Sequence, residues 1–366
     1  RAARWFVNRF PGDVLYAAKA NPHPAVLDAV WSGGVRIFDV ASLAEIERVR
    51  AQFPTARLNF MHTVKARSAI RAAYLDHGVR NFAVDCEAEL QKIIEETDGA
   101  QDLNLLVRLA VSDIYASHKL SGKFGASGAE AVFLLRHARA VADELGVSFH
   151  VGSQCMRPEA YRVAMTDVGE TIRRAGVTID IVDVGGGFPA AYPSLTPPPL
   201  EDYIRVIEDA FEEMPVLENA DLWCEPGRAL CAEAGSQIVR VELRKGDALY
   251  LNDGSYGSLF DMTHTETAFP VRRIESLDAP RRLLTAFRLF GPTCDSIDAA
   301  RAPVFLPDDI AEGDYLEFGL TGAYGSVLRT NFNGFGAERE AILTDAPMAT
   351  MFADAEAADA LGNSRV

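Results

Sequence analysis

Eight short apolar segments, rich in β-branched residues, recur along the first two-thirds of the chain. They cover residues 14–19, 35–40, 57–62, 80–85, 104–110, 147–152, 179–184 and 221–226, and helical segments lie between them, for example over residues 42–51, 129–145 and 159–176. Strands that alternate with helices favour a parallel sheet. Eight such units favour a closed (β/α)₈ TIM barrel over an open doubly wound sheet. We therefore predict an α/β fold built on such a barrel.

The pattern changes after residue 232. Residues 236–244, 247–253, 269–274, 283–291 and 313–319 have the composition of strands separated by turns, and residues 346–361 suit a helix or a frayed end. We predict a barrel domain over residues 1–232 and a mostly antiparallel β domain over residues 233–366. The length of 366 residues agrees with this division, because one domain takes about 150 residues.

The acidic composition limits the kinds of molecule that the chain can bind. Lys and Arg total 36 and Asp and Glu total 52, so the formal net charge is −16. Such a chain is poorly suited to bind nucleic acid or an anionic membrane, whereas a small cationic ligand is compatible with it. No apolar run reaches the roughly 18 residues of a membrane-spanning helix, and no signal-peptide pattern is present. The five cysteines form no CxxC pair, which indicates reduced thiols in the cytoplasm.

Each of the eight predicted barrel strands ends on or carries a polar residue near its carboxyl end: Lys19, Asp39, His62, Asp85, Arg108, His150, Asp183 and Glu225. In a (β/α)₈ barrel the catalytic groups lie at the carboxyl ends of the strands, so we expect these side chains to share one rim. Any one of them could equally form a salt bridge at a strand end. Eight on one rim indicate a functional site. Helix-spaced metal ligands such as HExxH are missing from the sequence, and we predict no metal.

Lys19 lies in an otherwise apolar segment. Desolvation of an ammonium favours the neutral amine, which is the form that makes a Schiff base. A lysine that merely extends its ammonium into water is the competing interpretation. Glu225 could pair with a protonated pyridine nitrogen, and His150 could stack on a flat ring.

Glycines follow the last two predicted strands. Gly185, Gly186 and Gly187 form one turn, and Gly227 with Arg228 forms the next. Barrels commonly bind phosphate at these two loops, and glycine allows the backbone to approach an anion closely. A lone glycine triplet is usually only a turn. Combined with a Schiff-base lysine and a carboxylate, the two turns specify pyridoxal phosphate.

Ten motifs in this order resemble the alanine-racemase-like (fold type III) pyridoxal-phosphate decarboxylases, and most closely their ornithine decarboxylase branch. The motifs are YAAKANP (16–22), FDVASLAEI (38–46), KFGA (123–126), FHVGSQC (149–155), DVGGGFP (183–189), EPGRAL (225–230), NDGSYGS (252–258), GPTCDSID (291–298), GAYG (322–325) and FNGF (332–335). The resemblance implies a homodimer with shared active sites, in which the β domain completes the partner's site. Relatives usually carry a strand and a helix before the first barrel strand, and we expect that segment to precede Arg1.

The resemblance also implies roles for matching residues. Lys19 would carry the cofactor, His150 would stack on its ring, and Glu225 would bind its pyridine nitrogen. The implied phosphate site comprises Ser153, Gly186, Gly187, Gly227, Arg228 and Tyr324. Asp39 and Arg108 would position the lysine and the face of the cofactor.

The implied substrate contacts come from the β domain. Cys294 would protonate the product carbanion and Asp295 would bind the distal ammonium of the substrate. Asp261, in LFDMTHTE (259–266), is a candidate second carboxylate, and Phe332 is a further candidate contact.

The sequence Cys-Asp-Ser around Asp295 suits ornithine or lysine, and we predict decarboxylation of L-ornithine to putrescine. One methylene separates the two substrates, and a pocket discriminates a methylene by only about 1–3 kcal/mol, so a bifunctional lysine/ornithine enzyme stays open. Diaminopimelate decarboxylases typically carry Cys-Glu-Ser here, and the arginine enzymes of this fold are expected to be longer. A racemase would replace Glu225 by arginine. A non-catalytic homologue would be expected to have lost cofactor residues.

Overall fold

The computed structural model describes residues 1–119, 122–264, 267–275, 282–336 and 339–353. They form two compact units. The first contains residues 1–189 and 197–230, and the second contains residues 190–196 and those from 231 onward. The segment 190–196 lies inside the predicted barrel domain but belongs to the second unit. Residues 354–361, the second half of the segment predicted as a helix or a frayed end, lie outside the described residues, and its first half forms none of the helices of the structure.

The first unit is a closed barrel of eight parallel strands, which confirms the predicted fold. In barrel order these strands are β1 (Asp13–Ala17), β2 (Ile37–Val40), β3 (Arg57–Phe60), β4 (Asn81–Val84), β5 (Asn104–Arg108), β7 (Glu144–Ser148), β9 (Ile181–Asp183) and β10 (Asp221–Cys224), and β10 pairs with β1. Each overlaps one predicted strand. Apolar side chains from the strands fill the interior, so the barrel is a packed core and not a pore: Leu15, Ile37, Met61, Ala83, Leu106, Ile181 and Trp223.

Helices connect the strands. In chain order they are α1 (Ala2–Arg9), α2 (Pro24–Ser32), α3 (Leu43–Gln52), α4 (Arg67–Leu75), α5 (Glu87–Glu96), α6 (Gly128–Val141), α7 (Glu159–Ala175), α8 (Leu200–Glu212) and α9 (Arg228–Cys231). Helix α1, ahead of the first strand, was not predicted. Within the described ranges, no helix is both long and apolar enough to span a bilayer.

Helix α6 ends earlier than the sequence suggested, at Val141 and not at residue 145. The guanidinium of Arg139 donates to the carbonyls of Ala142 and Asp143, each at 2.7 Å, and these bonds cap the end of the helix. The same side chain pairs with Asp180 at 2.6 Å. Strand β7 therefore begins at Glu144, ahead of the predicted start at residue 147.

Two short strands outside the barrel were not predicted. β6 (Ala116–His118) and β8 (Ser153–Cys155) follow β5 and β7, and they pair in an antiparallel ladder. Their three-residue length and mixed polarity give no periodic signal in the sequence. They place His118 and Ser153 opposite each other.

The second unit contains a six-stranded, mostly antiparallel sheet, as predicted. Its strands are β11 (Gln237–Lys245), β12 (Ala248–Leu251), β13 (Val271–Arg273), β14 (Leu284–Phe290), β15 (Val304–Pro307) and β16 (Tyr315–Phe318), and the short helix α10 spans Phe260–His264. Only the pair β12 and β14 is parallel among the pairs of this sheet in the described residues. β15 and α10 were not predicted.

Candidate active site

Lys19 lies at the carboxyl end of β1, where the chain leaves the barrel. The strand ends at Ala17, so Lys19 sits in the following 3₁₀ turn (Ala18–Ala20) and not inside the strand as predicted. Its Nζ forms an ion pair with the carboxylate of Asp39. The Asp39 side chain is 2% exposed and that of Lys19 is 43% exposed. A buried carboxylate thus holds an accessible amine at the rim.

Glu45 is a third charged group near this pair, and sequence reasoning missed it. Its Oε2 accepts a hydrogen bond from the backbone N–H of Ala41 at 2.7 Å, while Ser42 Oγ accepts from the N–H of Glu45. Ser42 thus caps the start of α3, and Glu45 binds the backbone one residue before this N-cap, a variant of the capping box whose signal was the Ser-x-x-Glu spacing. Burial, and secondarily the carboxylate of Asp39, raises the pKa of Glu45.

His150 lies just beyond β7 and its ring is neutral. The Nδ1 atom accepts a hydrogen bond from the N–H of Gly152 at 3.0 Å. Desolvation lowers the pKa of His150 to about 3, and the nearby charges of Arg108 and Lys19 act in the same direction. A neutral imidazole with a fixed Nδ1 acceptor presents an uncharged flat surface at the rim.

Glu225 and Asp183 form a buried carboxyl pair at the ends of β10 and β9. Asp183 Oδ1 accepts from the N–H of Gly185 at 2.8 Å, and the two carboxyls are close enough for each to shift the pKa of the other. Burial is the main cause that raises the pKa of Asp183 to about 6, and burial together with the Asp183 charge raises the pKa of Glu225 well above its usual range. Glu225 Oε1 is buried without a hydrogen-bond partner. Such an atom needs a donor, so it marks a place for a ligand N–H.

Sequence reasoning placed Asp183 at the end of a strand but gave it no role in the site. Its signal was the position immediately before the glycine triplet. The contact with Glu225 joins two loops that are distant in sequence, and such a contact requires the closed barrel.

The glycine turns lie so close to neighbouring segments that a side chain would clash with them. A Cβ atom on Gly186 would lie 2.8 Å from the carbonyl oxygen of Glu225 and 3.1 Å from Nε2 of His150. A Cβ on Gly227 would lie 2.9 Å from Cβ of Ala20. Gly187 also has a positive φ of 109°, which disfavours other residues. A side chain at any of these positions would therefore force the neighbouring loops of the rim apart.

Arg228 begins α9 beside this rim and is 5% exposed. Its Nε donates to Oγ of Ser153 at 3.5 Å. Its Nη2 lies 3.4 Å from Nδ1 of His118, a residue that sequence reasoning did not name. A buried guanidinium beside a hydroxyl and glycine turns is suited to bind a phosphate.

Three of the predicted strand-end residues hold one loop. The guanidinium of Arg108 lies 5.5 Å from the ring centre of Phe124, and the ring of His62 lies edge-on to it at 5.4 Å. The carboxylate of Asp85 accepts from the N–H of Gly125 at 3.0 Å. These side chains thus anchor the KFGA segment.

In the second unit, the predicted substrate contacts Cys294, Asp295 and Phe332 lie in one cluster. Tyr256 joins them, since its hydroxyl donates to Asp295 Oδ2 at 2.5 Å and its ring lies 4.7 Å from that of Phe332. The thiol of Cys294 donates to Asn333 Oδ1 at 3.3 Å. The hydrogen bond from Tyr256 is the main cause that lowers the pKa of Asp295. The carboxylate therefore stays charged.

Asp261 and Tyr324 line a small cleft, with a cavity volume of about 10 Å³, in the same unit. Its other lining residues are Ser258, Leu259, Met262, Phe269, Thr321, Ala323 and Gly325. Tyr324 has a positive φ of 54°. Asp261 is thus beside the residue expected to bind phosphate, and it is not among the contacts of Asp295 given above.

Residues 1–232 match the family model described as pyridoxal-dependent decarboxylase, pyridoxal binding domain. Among curated proteins, antizyme inhibitor 2 from Xenopus laevis is 33% identical, over 88% of this chain and 73% of its own. Ornithine decarboxylase from Mus musculus is 31% identical, with the same coverage of 88% and 73%.

Solved structures agree with this result. The arginine decarboxylase of Paramecium bursaria Chlorella virus, bound to agmatine, superposes with a TM-score of 0.81 at 28% identity and covers 92% of each chain. We expected arginine enzymes of this fold to be longer than this chain. The mutual coverage shows that this one is of similar length, so length does not argue against arginine as a substrate. The lysine/ornithine decarboxylase of Vibrio vulnificus, complexed with cadaverine, gives a TM-score of 0.79 at 29% identity, covering 94% of this chain and 92% of its own. The chain therefore belongs to the pyridoxal-phosphate-dependent, fold type III amino-acid decarboxylases of the ornithine, lysine and arginine group.

Proposed function

We propose that this enzyme decarboxylates L-ornithine to putrescine, a step that forms a polyamine precursor. The observation that carries the choice of substrate is the state of Asp295. Its Oδ2 accepts from the hydroxyl of Tyr256, and its Oδ1 accepts from the N–H of Ile297 at 3.1 Å. Each oxygen already has one donor. An ammonium can bind such a carboxylate at one point, whereas a guanidinium binds best to both oxygens in one plane.

Lysine is the second candidate substrate, because its distal group is also an ammonium. The Vibrio vulnificus relative carries both substrates in its name. The test is a comparison of kcat/KM for ornithine, lysine, arginine and meso-diaminopimelate. We expect ornithine to be the best substrate and lysine the next. A higher kcat/KM for arginine or diaminopimelate would contradict the role given to Asp295.

The residues of the barrel rim fit pyridoxal phosphate. The cofactor, when bound, supplies a ring that withdraws the electron pair left on Cα after loss of carbon dioxide. Lys19 would hold it covalently through Nζ, and Asp39 would keep that nitrogen at the rim. Glu225 Oε1, which has no donor among the described residues, would accept the N–H of the pyridine ring and retain the proton there.

Other residues of the chain would bind the cofactor and the substrate, orient them, and supply a proton to the product. The neutral ring of His150 provides a surface for stacking without adding charge. Arg228, Ser153 and the glycine turns would bind the phosphate. The thiol of Cys294, oriented by Asn333, would deliver a proton to Cα. Asp295 would hold the distal ammonium.

Replacement of Asp295 by alanine tests the substrate contact. We expect KM for ornithine to rise by roughly 10- to 100-fold, because a hydrogen bond to a charged group is lost. The kcat value should change much less. Steady-state kinetics of Asp295→Ala, with Asp308→Ala as a control at an exposed aspartate of the same unit, would show this. An unchanged KM would remove Asp295 from substrate binding.

We further propose a homodimer in which Cys294 and Asp295 of one subunit serve the Lys19 site of the other. Mixing Lys19→Ala with Cys294→Ala chains should then restore activity. Random exchange makes half of the dimers mixed, and in each mixed dimer one site carries both substitutions while the other carries neither. A quarter of all sites are then unaltered, so the expected recovery is about a quarter of the unaltered rate. No recovery after exchange has been demonstrated, by mass measurement of differently tagged chains, would argue for sites within one chain.

The cytoplasm is the proposed compartment. Each of the five cysteines is a free thiol, and one of them, Cys294, is exposed. Exposed free thiols suit a reducing environment.

A further inference from the structure

The β6–β8 ladder brings His118 to the candidate phosphate site. β6 ends at His118, and the pairing with β8 places it opposite Ser153. Gly152 allows the ladder to lie close to the rim, since a Cβ on this glycine would lie 3.1 Å from Cβ of Asp113 and 3.2 Å from the carbonyl oxygen of His118. Backbone pairing therefore fixes the position of the His118 Cα atom, from which the imidazole extends.

The imidazole of His118 contacts the guanidinium of Arg228. Its Nδ1 lies 3.4 Å from Nη2, while Nε of Arg228 donates to Ser153. The three side chains come from the segments that follow β5, β7 and β10. Three loops of the barrel thus converge on one guanidinium, which is almost fully buried.

The chemistry of the two groups assigns the direction of this contact. A guanidinium offers only N–H donors, so Nδ1 of His118 is the acceptor. The proton of the neutral ring is then on Nε2. Ser153 and His118 together engage Nε and Nη2, and this fixes the rotation of the guanidinium about its Cδ–Nε bond. Arginine binds a phosphate most strongly when its planar fork is correctly aligned with the phosphate oxygens.

We propose that His118 is a positioning residue of the phosphate site: its Nδ1 accepts a hydrogen bond from Arg228 and aligns the guanidinium with the phosphate group of the cofactor. The inference rests on the proposed placement of that phosphate beside Arg228. It assigns to the loop after β5 a part in cofactor affinity. His118 acts through Arg228, and it does not act on the reacting atoms.

The test compares pyridoxal phosphate with pyridoxal, which lacks the phosphate. Cofactor-free protein is titrated with each, and Kd is read from the visible absorbance of the bound form. For His118→Leu we expect Kd for pyridoxal phosphate to rise roughly 5- to 15-fold, less than for direct loss of a hydrogen bond to the phosphate, because His118 acts on it only through Arg228. Kd for pyridoxal should change by less than about twofold, because no phosphate is present to align.

Two amide variants locate the atom responsible. His118→Asn places an amide oxygen near the position of Nδ1 and should restore most of the affinity, whereas His118→Gln places it near Nε2 and should not. His137→Leu, at an exposed histidine that pairs with Glu87, is the matched control and should change neither constant.

The outcomes separate this inference from the proposed site. An equal rise of both constants in His118→Leu, or no rise for pyridoxal phosphate, would overturn the role of His118. If His118→Leu does not fold, the comparison of His118→Asn with His118→Gln decides, and equal or better binding by His118→Gln overturns the proposal. If the unaltered protein does not prefer pyridoxal phosphate to pyridoxal, the phosphate site itself is wrong.

Discussion

Replacement of Lys19 by alanine is expected to lower kcat by roughly 10³-fold or more, as for loss of a nucleophile that forms a covalent bond. The variant should also lack the visible absorption band of covalently held cofactor. The physical reason is the position of Nζ, which Asp39 holds at the rim and leaves accessible. In the unaltered protein, borohydride reduction and peptide mass mapping should locate the cofactor on the peptide that contains Lys19.

Lys245→Ala is a suitable control, because Lys245 is an exposed lysine of the second unit. It should keep both the band and the rate. Retention of the band by Lys19→Ala would place the cofactor on another residue. Absence of the band from the unaltered protein, when cofactor is supplied in excess, would instead favour a non-catalytic homologue and would contradict the proposed function.

Replacement of Glu225 by glutamine is expected to have opposite effects on activity and on stability. Activity should fall by roughly 10²- to 10³-fold, the loss typical of one preorganised electrostatic contact. A glutamine cannot keep the proton on the pyridine nitrogen as a carboxylate does. Steady-state kinetics with saturating cofactor would measure this loss.

The stability effect follows from the raised pKa values of the buried pair. The folded pKa of Asp183 is about 6, against an ordinary 3.8, and the pKa of Glu225 is raised well above 4.5. Their contribution to stability is therefore complete below about pH 4 and is lost as the pH rises through about 6 and above. Glu225→Gln removes one of the two charges, so the cofactor-free variant should be more stable than the unaltered protein by about 1–3 kcal/mol near pH 8.

Thermal or denaturant unfolding of the cofactor-free proteins at several pH values measures this difference. The unaltered protein should lose stability as the pH rises from about 4 through about 6 and above, and Glu225→Gln should lose less. Glu218→Gln, at an exposed glutamate of the barrel unit, should follow the unaltered protein. A Glu225→Gln variant less stable at every pH would show that the carboxyl pair stabilises the fold in its charged form.

The barrel could be predicted from the sequence because each of its units is local and the unit repeats. Apolar strands and polar strand ends recur at regular intervals, and this repeat can be recognised in the sequence without knowledge of the tertiary structure. The same rule predicted that Lys19, His150 and Glu225 share a rim. The β6–β8 ladder could not be predicted, because short strands of mixed polarity have no period, and its side chain His118 was missed with it.

Contacts between side chains that are distant in sequence could not be predicted either. The pairing of Asp183 with Glu225 requires that β9 and β10 be neighbours in a closed barrel. The hydrogen bond from Tyr256 to Asp295 depends on the folded second unit, although both residues lie in motifs that the sequence identified. Residue types and strand ends are local properties, whereas partners are set by topology.

The close contacts of the rim glycines bear on how the enzyme would gain cofactor affinity. A Cβ on Gly185 would lie 2.0 Å from the carbonyl oxygen of Phe149, and one on Gly187 would lie 2.6 Å from that of Gly152, so each loop packs directly against neighbouring backbone. Backbone hydrogen bonds connect the same loops, from Cys155 to Gly187 and from Glu225 to Gly185, each at 2.9 Å. Because these contacts form within the chain itself, we expect the loops to keep this arrangement before a cofactor binds. Binding to a preorganised site costs less conformational entropy than binding to a site that must first be ordered. We therefore expect the preorganised loops of this rim to increase the affinity for the cofactor.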